Sequence, residues 1–272
     1  MISCADAVAK LLAGPFPAMQ IALFQSTAML ISVPLLAGDW RLIQLAKTNH
    51  PGLHALRSLC MLGSALSFFT GLKYLPLAEI VAIIFIGPLL VTILAALILK
   101  EHVELRRWVA CITGFVGAVI IVRPGFGSFG WTALYPIAAT SLYSVYVICT
   151  RVTAPTERHS TMMFYTCVAS VVILSVSSPL YWVEPPFLGW VGLTTVALLS
   201  TTSASLAIKA YSLAPASVLA PYAYVEIVTA TLFGFWLFGD LPIPYTVAGT
   251  AIVVASGLYI FHRERSSETV IR

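Results

Sequence analysis

Glu226 is the residue of this sequence that is best placed to do chemistry inside a membrane. It lies about halfway along an otherwise uncharged run, 215–238. A charged side chain at the centre of a membrane helix costs roughly 2.5 to 3.5 kcal/mol, so it is expected to face a cavity or a partner. Burial favours the protonated acid, which could release its proton when the cavity fills with water. We predict that Glu226 exchanges protons or binds a cationic substrate group; a neutral Glu226 hydrogen-bonded to a neighbouring helix is the alternative.

Three further charged residues are candidates for binding a substrate. Asp6 and Lys10 lie four residues apart, so on a helix they share one face and can neutralise each other as a structural ion pair. If they line a cavity instead, they offer both signs of charge to a zwitterion. Arg57 begins the third predicted span at its cytoplasmic edge, where membrane topology accounts for it and a substrate or gating role is the alternative.

Four tyrosines lie deeper in the predicted spans than an interfacial belt requires. Tyr143 and Tyr146 share one face of the sixth span, and Tyr222 and Tyr224 precede Glu226 in the ninth. Because a tyrosine ring is flat and amphipathic, such side chains could stack on a flat or amphipathic substrate. The alternative is an interfacial role, which is usual for tyrosine near the ends of spans.

The eighth predicted span contains a run of hydroxyl side chains. Such a run either lines a water-filled path or forms hydrogen bonds across helices. Its members are Ser200, Thr201, Thr202, Ser203 and Ser205.

Catalytic and cofactor motifs are missing from the sequence. It has no glycine-rich phosphate loop, no His-Glu-x-x-His zinc pair and no Ser-x-x-Lys motif. The five cysteines stand singly in apolar stretches, which favours packing over metal binding or disulfides. We therefore expect no enzyme activity, no cofactor and no metal site, and we expect the energy source to be an ion gradient or exchange rather than ATP.

Composition requires that these residues lie in a membrane. The chain has 272 residues, of which 59% are hydrophobic and only 10% charged, too few polar side chains to cover a soluble protein. Its net charge of +4 does not indicate nucleic acid, because the basic residues lie at span ends rather than in a patch. The expected partners are the lipid bilayer, a small-molecule substrate and protons, with the chain a monomer or homodimer.

Uncharged runs predict ten spans of an all-α integral membrane protein, at roughly 20 residues for each crossing. Arg57 and Lys73 flank a short third span and are expected to snorkel to the interface. The first segment, 1–13, is too short to cross unaided, so we expect that the natural start lies upstream; a half-span is the alternative. The other runs are 16–38, 58–72, 80–99, 108–122, 124–150, 160–183, 185–208, 215–238 and 241–261.

The distribution of basic residues predicts the orientation. If the N-terminus is cytoplasmic, 12 of the 15 lysines and arginines fall on the cytoplasmic side, whereas only Lys73 and Arg123 fall on the outer side. This bias follows the positive-inside rule. We therefore predict a multi-pass protein of the cell inner membrane with both termini in the cytoplasm and no cleavable signal peptide.

The two halves of the chain are similar at an offset of 139 residues over 75–121. Glu101 aligns with Asp240, but only Glu101 lies in a loop rich in lysine and arginine, as expected if the second copy is inserted upside down. Inverted repeats are a common build of secondary transporters. We predict a first repeat over 1–123 and a second over 124–272. Gly87-Pro88 falls within the fourth span, where a bend either lines a cavity or is a packing kink.

Two sets of motifs resemble a known family. Gly71-Leu72-Lys73-Tyr74-Leu75-Pro76-Leu77-Ala78-Glu79, followed by Phe85-Ile86-Gly87-Pro88 and Glu101, resembles the first EamA repeat of the drug/metabolite transporter superfamily. Tyr224-Val225-Glu226-Ile227 and Phe238-Gly239-Asp240-Leu241-Pro242 resemble the second. The resemblance implies ten helices in two inverted five-helix EamA repeats, with the first helix truncated. Many relatives have an arginine where Phe24 is here followed by Gln25, so a role of that arginine cannot be carried over.

The resemblance also implies a function. EamA-type proteins are secondary transporters that work by alternating access, and the site is expected between spans three, four, eight and nine, with Glu226 in it. Riboflavin uptake is the first candidate, with S-adenosylmethionine carriage or export of amino acids or related metabolites as alternatives. A membrane subunit that transports nothing is the competing class.

Overall fold

A computed structural model describes residues 2–37, 47–100, 105–122, 131–213, 226, 229–239, 244–245, 247–252 and 254–256. Throughout these residues the regular secondary structure is helical and no strand occurs, so the all-α prediction is confirmed. The helices include α1 (Ile2–Ala13), α2 (Ala18–Ala37), α3 (Pro51–Tyr74), α4 (Leu77–Ile84), α5 (Gly87–Ile98), α6 (Leu105–Val122), α7 (Leu134–Thr153), α8 (His159–Ser177), α9 (Phe187–Leu213) and α10 (Thr229–Phe238).

Among the described residues, four helical segments are long and apolar enough to cross a membrane. They are Pro51–Tyr74, Trp131–Thr153, Ser160–Leu180 and Phe187–Ala204. Shorter apolar helices include Ala18–Pro34, Leu89–Ile98 and Thr229–Phe238. Each of these segments overlaps one of the runs predicted to span the bilayer, and the number of ten crossings stays a prediction.

The helices pack on partners that are distant in the sequence. α3 lies against α7 and α8, α2 lies against α8 and α9, and α1 packs on α9 and α3. The two ends of the bundle are named here by their residues. Lys47, Arg151 and Arg158 mark the basic end, and Trp131 and Trp182 mark the aromatic end.

α6 lies at the edge of the bundle, packed only on α4 and α5 among the described helices with substantial contacts. Its large apolar side chains are exposed, as expected for a surface that faces lipid. They are Val109, Ile112, Phe115, Val116 and Val119.

The predicted bend at Gly87-Pro88 is present and divides the fourth span into α4 and α5. The helix is interrupted at Phe85 and Ile86 and resumes at Gly87. A proline inside a helix leaves carbonyl groups without their usual N–H partners. α7 bonds to carbonyls at this break, because the Thr140 hydroxyl donates to the Ile84 carbonyl over 3.2 Å. At the break, α4 is therefore hydrogen-bonded to α7.

Gly87 is needed where these helices approach each other. A Cβ atom at this position would lie 2.9 Å from the Thr140 Oγ1. We therefore expect Gly87→Ala to push Thr140 away from Ile84 and to lower the free energy of unfolding by about 1 to 3 kcal/mol, a usual cost of overpacking. Thermal unfolding in detergent measures this loss.

Gly234→Ala is the matched control, because a Cβ there would meet nothing within 4 Å. It should leave the unfolding temperature unchanged or raise it slightly, since alanine is the better helix former. Equal losses in the two variants would contradict the close approach at Gly87.

Candidate binding cavity

A cavity of about 400 Å³ lies inside the bundle. Its wall is formed by α1, α2, α3, α4, α7 and α9. The volume falls within the roughly 300 to 1,000 Å³ of small-molecule sites. Three of the helices expected to surround the site, α3, α4 and α9, line this cavity together with α1, α2 and α7. That this cavity is the substrate site stays a prediction.

The polar side chains on this wall divide into two groups. The hydroxyls of Ser64 and Thr140 are occupied, because they donate to the carbonyls of Ala139 and Ile84. Asp6, Gln25 and Ser203 also line the cavity, and within the described part of the chain the buried Ser203 hydroxyl has no hydrogen-bond partner. The Ser203 hydroxyl is therefore available to a polar group of a ligand. Gln25 is the residue that stands where the family resemblance suggested an arginine.

Asp6 is the acidic side chain of the cavity wall. Among the described lining residues it is the one carboxylate, and no lysine, arginine or histidine joins it there. Glu226 lies nearby, because the Ser3 hydroxyl of α1 contacts the Glu226 carbonyl at 3.5 Å and also the Thr229 hydroxyl. Asp6 and Glu226 are close enough to repel each other when both are ionised. A cation in the cavity would relieve that repulsion.

The rest of the wall is largely apolar and aromatic. Phe68 and Phe69 on α3 and Tyr143 on α7 line the cavity together with Met61 and Ile84. Such rings can stack on a flat ligand, and their faces attract cations. The wall therefore combines one carboxyl group with aromatic surface.

Buried apolar side chains close the cavity toward the aromatic end. One helical turn beyond the lining residues, α1, α3, α4 and α9 each contribute a side chain that is at most 7% exposed. All four belong to one packed core. We call this set the apolar seal; its members are Leu12, Leu72, Ile80 and Leu193.

At the aromatic end, an amide latch fixes the loop between α8 and α9. The buried Gln20 side chain donates from Nε2 to the Val183 carbonyl over 2.9 Å and accepts from the Val183 N–H over 3.1 Å. The Phe24 ring packs against Trp182 and Trp190 beside it. The sequence analysis did not single out Gln20, because its partner is 163 residues away.

Toward the basic end, Arg57 is buried rather than snorkelling, so that prediction was wrong. Its side chain is 2% exposed. Nε donates to the Thr150 hydroxyl over 2.8 Å, and Nη1 donates to the Met162 carbonyl over 2.8 Å. These acceptors on α7 and α8 keep the guanidinium inside the bundle. The guanidinium carbon also lies 4.9 Å from the centre of the Tyr146 ring.

Glu157, in the loop between α7 and α8, holds the segment that precedes α3. Its Oε1 accepts hydrogen bonds of 2.8 Å from the Thr48 hydroxyl and the Asn49 N–H. Burial opposes ionisation of this carboxylate, but these two donors and the nearby His54 together lower the pKa of Glu157 below its ordinary value of 4.5. The ionised form is therefore the one that the fold stabilises.

The lowered pKa of Glu157 predicts a pH-dependent contribution to stability. The contribution is complete at neutral pH and is lost as the pH falls below 4.5 and through the lowered pKa of the folded protein. We expect wild type to unfold at a higher temperature than Glu157→Gln at neutral pH, and the difference to shrink in acid. Thermal unfolding of both proteins across this range is the test, and a difference that is constant with pH would contradict it.

The structure brings only some of the predicted site residues to the cavity. Asp6 and Tyr143 line it, and Glu226 lies beside Asp6. Tyr146 contacts Tyr143, with ring centres 5.7 Å apart, and lies nearer to Arg57.

Lys10 is not among the described residues that line the cavity. Its ammonium lies 4.4 Å from the centre of the Phe238 ring. Tyr222 and Tyr224 lie outside the described residues.

Part of the hydroxyl run of α9 lines the cavity, which is one of the two roles that the sequence left open. Ser200 and Ser203 line the cavity. Thr202 lies on the exposed face, and its hydroxyl donates to the Leu198 carbonyl of its own helix. The helical period therefore separates cavity-lining from lipid-facing residues within this run.

These features describe a helical membrane protein with an internal cavity, and the first part of the chain matches a known protein family. Residues 2–123 match the EamA-like transporter family. The chain is a multi-pass membrane protein with an EamA-family domain over these residues.

Named relatives cover most of the chain at modest identity. The S-adenosylmethionine uptake transporter of Rickettsia prowazekii is 28% identical over 221 residues, which are 81% of this chain and 75% of that protein. The riboflavin transporter of Brucella anthropi is 26% identical over 259 residues, 91% of this chain and 89% of that protein. One crystal structure covers 98% of both chains with a TM-score of 0.65 at 18% identity, which shows a shared fold.

Proposed function

We propose that this chain is a secondary transporter for an organic cation that carries an aromatic ring, with S-adenosylmethionine as its cargo. The observation that carries the proposal is the Asp6 carboxylate on an aromatic cavity wall, without a basic residue among the described lining residues. S-adenosylmethionine has a sulfonium cation and a flat adenine ring, which match these two features. The relative from Rickettsia prowazekii, named for uptake of this compound, supports the same cargo.

The proposed orientation in the membrane and the proposed mechanism follow from the two ends of the bundle. We take the basic end as cytoplasmic, because lysine and arginine collect on that side of membrane proteins. The apolar seal then separates the cavity from the outer side. Alternating access requires that the seal open while the basic end closes. We further propose ten helices in two inverted repeats, 1–123 and 124–272. The protein would lie in the cell inner membrane with both termini in the cytoplasm.

Protons are proposed as the coupling ion. Protonation of Asp6 or Glu226 removes their mutual repulsion, as a bound cation also does. Protons and cargo therefore compete for the same negative charge, which is the requirement for exchange of one against the other.

Riboflavin is the second candidate cargo. Its flat ring system can stack on Phe68, Phe69 or Tyr143, and the relative from Brucella anthropi is named a riboflavin transporter. Riboflavin is uncharged at neutral pH and does not need Asp6. The charge of the cargo therefore distinguishes the two candidates.

Uptake into proteoliposomes tests the proposal. Liposomes that contain the purified protein should accumulate labelled S-adenosylmethionine above empty liposomes, and excess unlabelled compound should abolish the signal. An imposed proton gradient should change the rate if protons are coupled. Accumulation of riboflavin but not of S-adenosylmethionine would make riboflavin the cargo. Accumulation of neither compound would overturn both candidates, in favour of another metabolite, such as an exported amino acid, or of a subunit that transports nothing.

A further inference from the structure

Arg57 is a buried charge whose immediate neighbours are all neutral among the described residues. It bonds to the Thr150 hydroxyl and the Met162 carbonyl, and its Nη2 lies 3.4 Å from the Tyr146 hydroxyl. A buried ion without a nearby counter-charge is costly. The position of its compensating charge therefore matters for the stability of this arrangement.

His54 connects Arg57 to that counter-charge. The Nη1 of Arg57 lies 3.4 Å from the Nδ1 of His54. Because a guanidinium can only donate, Nδ1 acts as the acceptor and the proton of a neutral His54 is on Nε2. This Nε2 lies 4.0 Å from the Glu157 Oε2, and within the described residues it has no hydrogen-bond partner. A small shift of the loop toward α3 would complete the bond.

Arg57 is also connected to the cavity, through contacts with aromatic side chains of α7. Its guanidinium lies over the Tyr146 ring, and that ring is in contact with Tyr143 on the cavity wall. On α3, Met61 lies one helical turn from Arg57 and also lines the cavity. A continuous set of contacts thus runs from the Glu157 loop through His54 and Arg57 to the aromatic wall.

We propose that Arg57 is a positioning residue that couples the loop between α7 and α8 to the cavity, by orienting Tyr146 and through it Tyr143. The inference rests on the proposed function, because it takes the cavity as the cargo site. Movement of Glu157 at the basic end changes the position of the Arg57 guanidinium. Tyr143 then changes its fit to an aromatic cargo, so the state of the basic end and cargo affinity are linked.

Glu157→Gln is the decisive variant, because it removes the charge at the loop without touching the cavity. We expect it to weaken binding of S-adenosylmethionine by about 2- to 30-fold, the range for mutations along a coupling network. Tyr146→Phe, which keeps the ring and removes the hydroxyl, should weaken binding less. Equilibrium binding to the purified full chain measures both, with thermal unfolding to confirm that each variant is folded.

Glu184→Gln is the matched control. Glu184 is an exposed acid in the loop at the opposite end of the bundle, where its carboxylate accepts a hydrogen bond from the Trp182 indole. Its replacement should leave affinity unchanged. Equal effects of Glu157→Gln and Glu184→Gln would indicate a general effect of charge and would overturn the proposal.

A second readout does not need the cargo. In a chain without its five native cysteines, a cysteine in place of Met61 reports on access to the cavity through its rate of alkylation by a small maleimide. Glu157→Gln should change that rate, whereas Glu184→Gln should not. If wild type binds no S-adenosylmethionine but Glu157→Gln still changes the alkylation rate, the proposed cargo is wrong and the coupling is supported. An unchanged rate together with unchanged affinity for any cargo would overturn the coupling.

Discussion

Replacement of Asp6 by asparagine is expected to weaken binding of S-adenosylmethionine by about 30-fold or more. Asparagine keeps the shape of the side chain and removes the negative charge, which is the one carboxylate among the described lining residues. Loss of one partner of a buried charge pair costs about 2 kcal/mol or more, which corresponds to this factor. Equilibrium binding of labelled S-adenosylmethionine to the detergent-solubilised protein measures the change.

The effect of Asp6→Asn should depend on the charge of the ligand. Binding of neutral riboflavin, if the protein binds it at all, should change little, because stacking on the aromatic wall does not require Asp6. Thr202→Ala is a suitable control, because this residue lies on the exposed face of α9 and its hydroxyl bonds only within its own helix. Affinity for the cation that survives in Asp6→Asn would contradict the electrostatic role of Asp6.

Replacement of Leu193 by alanine is expected to destabilise the protein by roughly 2 kcal/mol or more. Leu193 is fully buried in the apolar seal. Removal of three carbon atoms leaves a void that neighbouring helices fill only in part, and the lost packing is the main term. In a membrane protein this packing is a principal force between helices. A lower thermal unfolding temperature is the expected result.

Leu198→Ala provides a control on the same helix. Leu198 is 64% exposed and faces outward from α9. The same chemical change there should have little effect, because lipid or detergent replaces the lost contacts. A loss of stability as large as that of Leu193→Ala would show that the position in the seal is not the cause.

The helices could be predicted well from the sequence, because charged residues are costly inside lipid and are therefore rare within the spans. Runs without charge located α2, α3, α6, α7, α8 and α9, with ends that differ by several residues. The break at Gly87 followed from the missing N–H of Pro88. These are local properties of the chain, so one sequence was sufficient.

The sequence could not predict which side chains meet. Asp6 and Tyr143 were chosen for their chemistry, and the structure places both on one wall although 137 positions separate them along the chain (143 − 6). Phe68, Phe69 and Gln25 were not chosen, because nothing local distinguishes a cavity-lining phenylalanine or glutamine from one that packs between helices. Interpretation of Arg57 as an interfacial residue failed for the same reason, since Thr150 and Met162 on other helices keep it buried.

The central claim is that the cavity is the binding site, and it can be tested by filling it. Ser200 lines the cavity on α9, and Thr202, two residues further on, lies on the exposed face. We would measure binding of S-adenosylmethionine by calorimetry to wild type, Ser200→Phe and Thr202→Phe, after confirming by thermal unfolding that all three are folded. Wild type and Thr202→Phe should bind, and Ser200→Phe should not. Undiminished binding by a folded Ser200→Phe would contradict the claim.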